Sequence, residues 1–259
     1  GSYARHTGTK PNGPDGHVDV DLVVVTNLNP IRYKPDAVVE LFRPFLDREY
    51  PNEPGEPKQW ERQDRAIKIM PRDRPVTLDL VVTAAPSEIQ EKFFRSFRET
   101  GVPELQIEAR GDRDSQQVTF REAVERINKA IGGADWQKEP LLIPSRDLQI
   151  WVPTHPIEQI NWTTRKNDAT NGHYVNVVKA IRWWRKENPA GEYPKSYPLE
   201  HFVGDTTPDG IDSVAEGVVR VLERIANTQQ PWQFGRGVPV LPDRGVPAND
   251  VFRKVTPEQ

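Results

Sequence analysis

The stretch that decides the fold is Val18–Thr26 (VDVDLVVVT), in which β-branched and apolar side chains surround two aspartates. Runs of this composition are typical of β-strands, and the turn residues of Asn27–Pro30 end this one. Side chains at positions i and i+2 of a strand point to the same face. We therefore expect Asp19 and Asp21 to project together at the edge of an apolar core.

A second strand of the same character, Val76–Ala84, lies between Pro75 and Pro86 and carries Asp79. If the two strands are neighbours, Asp79 adds a third carboxylate to the pair. Hard cations such as Mg²⁺, with Mn²⁺ as an alternative, prefer carboxylate oxygens and leave positions for water or phosphate. Three such acids suit two-metal phosphoryl transfer, although a D-x-D pattern at the start of a strand is common in proteins that have no such role.

The remaining pattern runs from strands to helices. A third strand region, Pro140–Val152, is interrupted by the turn-like residues 145–147. Four helices are predicted from capping residues or from helical periodicity: Glu88–Thr100, Phe120–Ile131, Gly172–Lys186 and a last helix capped by Asp212. A strand-rich part followed by a helix-rich part predicts an α+β protein, with a boundary near Pro156.

Composition excludes several classes of protein. The 259 residues carry a net charge of −3, have a mean hydropathy of −0.71 and contain no cysteine. No apolar run approaches the roughly 20 residues of a membrane-spanning helix, and the acidic balance argues against a protein that coats duplex nucleic acid. Without cysteine there can be no disulfide and no thiolate zinc site, so we expect a cytoplasmic protein.

A loop precedes the first strand. Gly1-Ser2 is followed by residues 8–16, which are rich in glycine and proline and lead directly to the two aspartates. Backbone N–H groups and hydroxyls in such a loop can hold phosphate oxygens. The neighbourhood of Ser2 is therefore a candidate phosphate site beside a candidate cation site.

The order of Gly1–Thr7 (GSYARHT), Asp19-Val20-Asp21 and the distal Asp79 resembles the signature of the polymerase-β-type nucleotidyltransferases. Within that superfamily the chain most resembles the bacterial cGAS/DncV-like nucleotidyltransferases (CD-NTases), which make cyclic di- or trinucleotide second messengers in anti-phage defence. Further similar elements follow in matching order: Trp151–Pro156 (WVPTHP), Lys179–Trp184 (KAIRWW), Lys195–Glu200 (KSYPLE) and Leu241–Val251 (LPDRGVPANDV). His155 stands where the family has Asn or Asp, and we assign it no catalytic role.

The resemblance implies an α+β fold in which a polymerase-β-like mixed sheet packs against a C-terminal helical lobe, with the active site in the cleft between them. The catalytic, palm-like domain would be residues 1–155, and the helical nucleotide-binding lobe would be residues 156–259. ATP, GTP or both would be substrates, and Mg²⁺ the cofactor. A regulatory protein partner is also expected, but nothing in the residues identifies it.

The resemblance also implies a role for each site residue. Asp19, Asp21 and Asp79 would ligate the metal ions, and Asp79 would help to deprotonate the acceptor hydroxyl. The nucleotide-binding residues would be Ser2, Lys179, Ser196 and Tyr197: the first three would hold phosphate oxygens, and the tyrosine would stack on the base.

Each nucleotide-binding residue except Ser2 has a simpler interpretation. Lys179 could be an ordinary solvated lysine, Ser196 a helix N-cap and Tyr197 a core aromatic residue with a solvated hydroxyl. Trp183 and Trp184 are expected to pack in a core.

Two other functions are compatible with these motifs. The first is a nucleotidyltransferase that modifies tRNA or protein, although the acidic balance argues against a tRNA-binding surface. The second is a catalytically silent nucleotide sensor, although a pure binder has no use for three carboxylates that repel one another. The sequence favours cyclic oligonucleotide synthesis over both.

Overall fold

The computed structural model of the protein describes residues 2, 4–9, 18–73, 76–84, 140–188, 195–233 and 240–253. The chain divides into two compact units, one formed by Pro11–Thr154 and the other by Gly1–Lys10 together with His155–Gln259. The predicted helices Glu88–Thr100 and Phe120–Ile131 lie outside the described residues.

The described part of the first unit contains a six-stranded mixed sheet. Its strands are β1 (Val18–Leu28), β2 (Trp60–Arg62), β3 (Ile67–Ile69), β4 (Val76–Ala84), β5 (Leu141–Ser145) and β6 (Ile150–Thr154). The order is β2-β3-β4-β5-β6, in which all neighbours are antiparallel, and β1 pairs with β4 in parallel. The strands predicted over 18–26 and 76–84 are confirmed, and the third strand region is a hairpin whose turn includes Gln149 with φ of 56°.

One face of this sheet is covered by helix α1 (Ala37–Glu49). Val38, Val39 and Leu46 of the helix are buried in the same cluster as Leu80 and Val82 of β4. Because side chains alternate along a strand, residue 79 must point to the opposite face. The packing of α1 thus fixes which face of β4 carries its acidic residue.

The second unit contains four helices among its described residues: α2 (Pro156–Ala169), α3 (Tyr174–Glu187), α4 (Ser196–Thr206) and α5 (Val214–Gln233). Their core is formed by fully buried side chains that include Tyr174, Val178 and Val203. The helix predicted over Gly172–Lys186 is confirmed as α3, and the predicted last helix as α5.

Side chains cap the N-termini of helices α2 and α5. The side chain of His155 caps α2, since its Nδ1 accepts a hydrogen bond from the Glu158 N–H at 3.3 Å. His155 therefore acts as the N-cap, a position at which Asn or Asp is more common. The predicted capping of α5 by Asp212 is wrong: the Ser213 hydroxyl accepts the N–H of Glu216 at 3.1 Å, and the Glu216 carboxylate accepts the N–H of Asp212 at 3.0 Å. Ser213 is therefore the N-cap, one residue later than predicted, and Glu216 binds the N–H of the residue before it.

Two expectations about burial fail. Trp183 and Trp184, expected in a core, are 60% and 43% exposed because Val177, Val178 and Ile181 form the buried face of α3. The apolar residues of β1 are also less buried than its composition suggests, since Leu22 is exposed.

The first ten residues belong to a different unit from the one that the sequence-based division at 155/156 gives them. They belong with the helices of the second unit and not with the sheet, whereas the change from sheet to helix falls between Thr154 and His155. None of the helices within the described ranges has both the length and the apolar character that a bilayer crossing requires.

Candidate active site

The parallel pairing of β1 with β4 brings the predicted acids together. In this register Asp21 lies directly opposite Asp79, and Asp19 lies opposite Thr77. Residues in register on neighbouring strands share a face, and so do residues two apart on one strand. All three carboxylates therefore lie on the sheet face opposite to helix α1.

The three acids differ in their surroundings. Asp19 and Asp21 are exposed, whereas Asp79 is half-buried. Burial raises the pKa of the Asp79 carboxyl above its usual value, and the charges of Asp21 and Asp19 raise it further while Lys68 opposes them. The Oδ1 atom of Asp79 is buried, yet it accepts no hydrogen bond from the described residues. A buried carboxylate oxygen without a donor is costly, and a cation can satisfy it.

The three acids lie on one face of the sheet, but they do not form a complete set of metal ligands. Within the described ranges, no three acidic or histidine side chains are grouped closely enough to hold a metal ion by themselves. Mg²⁺ usually takes only one or two carboxylates together with water and substrate phosphates. Asp79, with its unsatisfied oxygen and two acids on the same face, fits a site of that open kind.

Sequence reasoning missed two charged neighbours of this site. Lys68 on β3 lies directly opposite Asp79, and Glu61 on β2 lies directly opposite Lys68. Asp21, Asp79, Lys68 and Glu61 thus form one row across four strands. The signal was present in Ile67-Lys68-Ile69, where a lysine between two buried isoleucines must point to the face opposite to the core. β3 was missed because three residues are too few for a strand to be recognised by alternation.

The predicted nucleotide-binding residues all belong to the second unit. Ser2 is half-buried in the N-terminal loop, and its carbonyl accepts the N–H of Thr7 at 3.0 Å. Lys179 lies half-buried on α3, beside the fully buried Val178, and has no hydrogen-bond or ion-pair partner among the described residues. A half-buried lysine differs from the fully solvated side chain of the simpler interpretation.

Ser196 and Tyr197 open helix α4. The N-cap residue is Lys195, which makes no side-chain capping bond, so Ser196 is the first helical residue and the N-cap interpretation is wrong. Its exposed side chain lies at a helix N-terminus, where backbone N–H groups attract anions.

Tyr197 is held on three sides. Its hydroxyl donates to Asp243 in the C-terminal segment, its ring meets that of His201 edge-on at 4.3 Å, and the Arg5 guanidinium lies 5.5 Å from the ring centre. Burial raises the pKa of the phenol, and the adjacent Asp243 carboxylate raises it further. The ring orientation is therefore set by the protein, and the expectation of a solvated hydroxyl is wrong.

The amino-acid sequence is similar to those of known proteins. No protein-family model matches the chain. A cyclic AMP-AMP-GMP synthase of Enterobacter hormaechei subsp. hoffmannii is 35% identical over an alignment of 269 positions, which covers 100% of this chain and 68% of that protein. A probable cyclic AMP-AMP-GMP nucleotide synthase of Salmonella paratyphi B is 36% identical over an alignment of 271 positions, with the same two coverages.

A solved structure has the same fold. The Bradyrhizobium diazoefficiens CD-NTase CdnG, determined in complex with GTP, superposes with a TM-score of 0.59 at 14% identity, over 98% of this chain and 70% of that one. This likeness confirms the α+β fold predicted from the sequence.

Proposed function

The chain belongs to the bacterial cGAS/DncV-like nucleotidyltransferase (CD-NTase) family of cyclic oligonucleotide synthases, and from this premise we propose that it joins two ATP and one GTP into cyclic AMP-AMP-GMP. The observation that carries the proposal is the register of β1 and β4, in which Asp21 faces Asp79 with Asp19 on the same face. The two relatives named for this product support the choice of bases. A cyclic product of this kind would act as a second messenger in anti-phage signalling.

We assign the divalent-cation site to Asp19, Asp21 and Asp79, with Mg²⁺ as the ion and Mn²⁺ as a substitute. The unsatisfied Oδ1 of Asp79 supports this assignment. The chemistry that the ion supplies when bound is neutralisation of charge on the triphosphate and on the leaving pyrophosphate. The carboxylates contribute the position and the negative charge that hold it there.

The reaction that we propose is a nucleotidyl transfer. A ribose hydroxyl of one nucleotide attacks the α-phosphorus of a second, a P–O bond forms, and the bond to the β-phosphate breaks to release pyrophosphate. We assign to Asp79 the role of accepting the hydroxyl proton, because it is more buried than Asp21, which it faces. Three such transfers, the last within the linear intermediate, close the ring and release three pyrophosphates.

We assign triphosphate binding to residues of the second unit. Ser2 offers a hydroxyl in a loop, Lys179 a point charge without a described partner, and Ser196 a helix N-terminus. Tyr197 offers a pre-oriented ring for base stacking, an interaction worth about 1–3 kcal/mol per base. A regulatory protein partner and a cytoplasmic location stay predictions.

Mass spectrometry of the product made from all four NTPs tests the proposal. With Mg²⁺ present, we expect a phosphatase-resistant compound with the mass of cyclic AMP-AMP-GMP and three pyrophosphates released for each one formed. Product made from ATP alone would contradict the assigned bases while leaving the family chemistry intact.

Label that enters only added tRNA or protein would favour a macromolecule-modifying enzyme. Binding of NTPs without pyrophosphate release would favour a silent sensor. Either result would contradict the proposed synthesis.

A further inference from the structure

Two side chains of the N-terminal loop bind the same carboxylate on helix α4. Arg5 donates from Nε to one oxygen of Glu200 at 2.7 Å and from Nη2 to the other at 3.4 Å. Thr7 donates its hydroxyl to that second oxygen at 2.9 Å. The Glu200 carboxylate therefore accepts three hydrogen bonds from two residues of one short loop.

This contact is buried. The side chains of Arg5 and Glu200 are only 7% and 5% exposed, and Thr7 is fully buried. Between them His6 is exposed and adopts the left-handed region, with φ of 58°. That backbone conformation costs a non-glycine residue on the order of 1 kcal/mol, so the flanking contacts must hold it. The loop is thus fixed by specific bonds and not by its own conformational preference.

The same contacts reach Ser2 and the start of α4. The N–H of Thr7 donates to the Ser2 carbonyl at 3.0 Å, and Arg182 of α3 donates to the Thr7 carbonyl at 2.6 Å. Glu200 lies four residues after Ser196, which is one helical turn. One carboxylate therefore connects the Ser2 loop with the helix that begins at Ser196.

We infer that Glu200 is a positioning residue that fixes the Ser2 loop relative to the N-terminus of α4, so that the two groups assigned to the triphosphate are already aligned when a nucleotide binds. The inference rests on the proposed function, because Ser2 and Ser196 matter together only if they hold one triphosphate. A small displacement of a positioning group can weaken function strongly.

An effect of the Glu200 charge alone would change the KM for NTP in the opposite direction to a loss of alignment. The KM therefore separates the two explanations. Glu200 lies beside two guanidinium groups, those of Arg5 and Arg182. If Glu200 acted only through its negative charge, replacing it with glutamine would leave more positive potential near the phosphates and would lower the KM for NTP. If it aligns the loop, the same change must raise the KM.

The test compares Glu200→Gln with wild type in the full chain. We expect the KM for ATP to rise roughly tenfold and kcat to change less than about threefold, because the reacting groups on the sheet are untouched. The dissociation constant of a non-hydrolysable ATP analogue, measured by calorimetry with Mg²⁺, should rise by the same factor as the KM. A KM equal to or below that of wild type would overturn the inference.

Three further variants separate alignment from loss of stability. Tyr174→Phe removes the hydroxyl that donates to the Glu200 carbonyl at 3.2 Å but leaves the carboxylate contacts intact, so it should lower the melting temperature without changing the KM. Thr7→Val removes one bond to the carboxylate and should raise the KM. Thr7→Ser keeps the hydroxyl and should have the KM of wild type. If Glu200→Gln fails to fold, this threonine pair decides the question, and equal KM values for the two variants would overturn the inference.

The failure of the inference is distinguishable from that of the proposed function. A wild-type chain that makes cyclic product while Glu200→Gln keeps the wild-type KM contradicts the positioning role alone. A wild-type chain that binds no ATP analogue and releases no pyrophosphate contradicts both.

Discussion

Replacing Asp79 with asparagine should move stability and activity in opposite directions. The side chain keeps its shape but loses its charge, so the cost of burying that charge and the repulsion from Asp21 disappear, and together they outweigh the lost attraction to Lys68. The unfolded chain gains nothing comparable, and the folded state of Asp79→Asn should therefore be more stable than wild type in metal-free buffer at pH 7. Product formation should fall by about 10³-fold, because the group assigned to accept the proton is gone.

The size of the stability gain can be estimated by taking a charge separation slightly larger than the strand spacing of about 4.8 Å. At a separation of about 6 Å, two unit charges repel by about 0.7 kcal/mol in bulk water and about 2.8 kcal/mol at the effective dielectric of a protein surface. Asp21 is exposed and Asp79 half-buried, so screening is substantial and we expect about 1 kcal/mol. For a chain of this size that is about 2–4 °C in melting temperature.

The sign of the pH dependence provides an internal check. The pKa of Asp79 in the folded state is raised above its ordinary 3.8, so the unfolded chain loses the proton first as pH rises. The contribution of Asp79 to stability is therefore complete below the ordinary value and is lost as pH rises through the folded-state pKa. The stability gain of Asp79→Asn over wild type should appear across that window and persist at neutral pH.

Thermal melts with EDTA at several pH values, together with pyrophosphate release, are the measurements. Asp47→Asn is the matched control, since it removes the same charge from an exposed position on helix α1 of the same unit. A variant at position 79 that melts below wild type at pH 7, or that retains wild-type synthesis, would refute the reasoning.

Three other perturbations test separate parts of the structure. Gly217→Ala should destabilise the protein by about 1–3 kcal/mol, although alanine favours helices, because its Cβ would lie 2.5 Å from Val177; denaturant unfolding measures this. Tyr197→Phe should raise the KM for NTP in steady-state assays, because it removes the bond to Asp243 that orients the ring; an unchanged KM would argue against that role. Burial lowers the pKa of His201 below its ordinary 6.5, so the unfolded chain takes up the proton first as pH falls. The melting temperature should therefore drop below about pH 6.5, and this drop should be smaller in His201→Gln.

The acidic strands were predictable because each carries its own signal. Val18–Thr26 and Val76–Ala84 combine β-branched residues with clear turn boundaries, and the structure gives strands at both places. Their parallel pairing is a long-range contact that no local pattern encodes. Only the adjacency of the two strands was suggested, from what three acids can do together.

The elements that were missed have weak or ambiguous local signals. Helix α1 includes Pro44, which reads as a helix breaker in sequence but lies inside the helix here. The exposure of Trp183 could not be foreseen from periodicity, since either face of α3 has apolar residues and tertiary packing chose the one with Val177. Glu200 was part of a recognised sequence element, yet its role depends on Arg5, which is 195 residues away.

Electron paramagnetic resonance of Mn²⁺ tests most directly the claim that acids from β1 and β4 hold one divalent-ion site around a triphosphate. Each of three proteins is titrated into Mn²⁺ in the presence of a non-hydrolysable ATP analogue: wild type, Asp21→Asn and Asp47→Asn. The free Mn²⁺ concentration is measured at each step. We predict that wild type and Asp47→Asn remove Mn²⁺ from solution with equal affinity and that Asp21→Asn binds it at least about tenfold more weakly. Equal Mn²⁺ affinity in all three proteins would contradict the account.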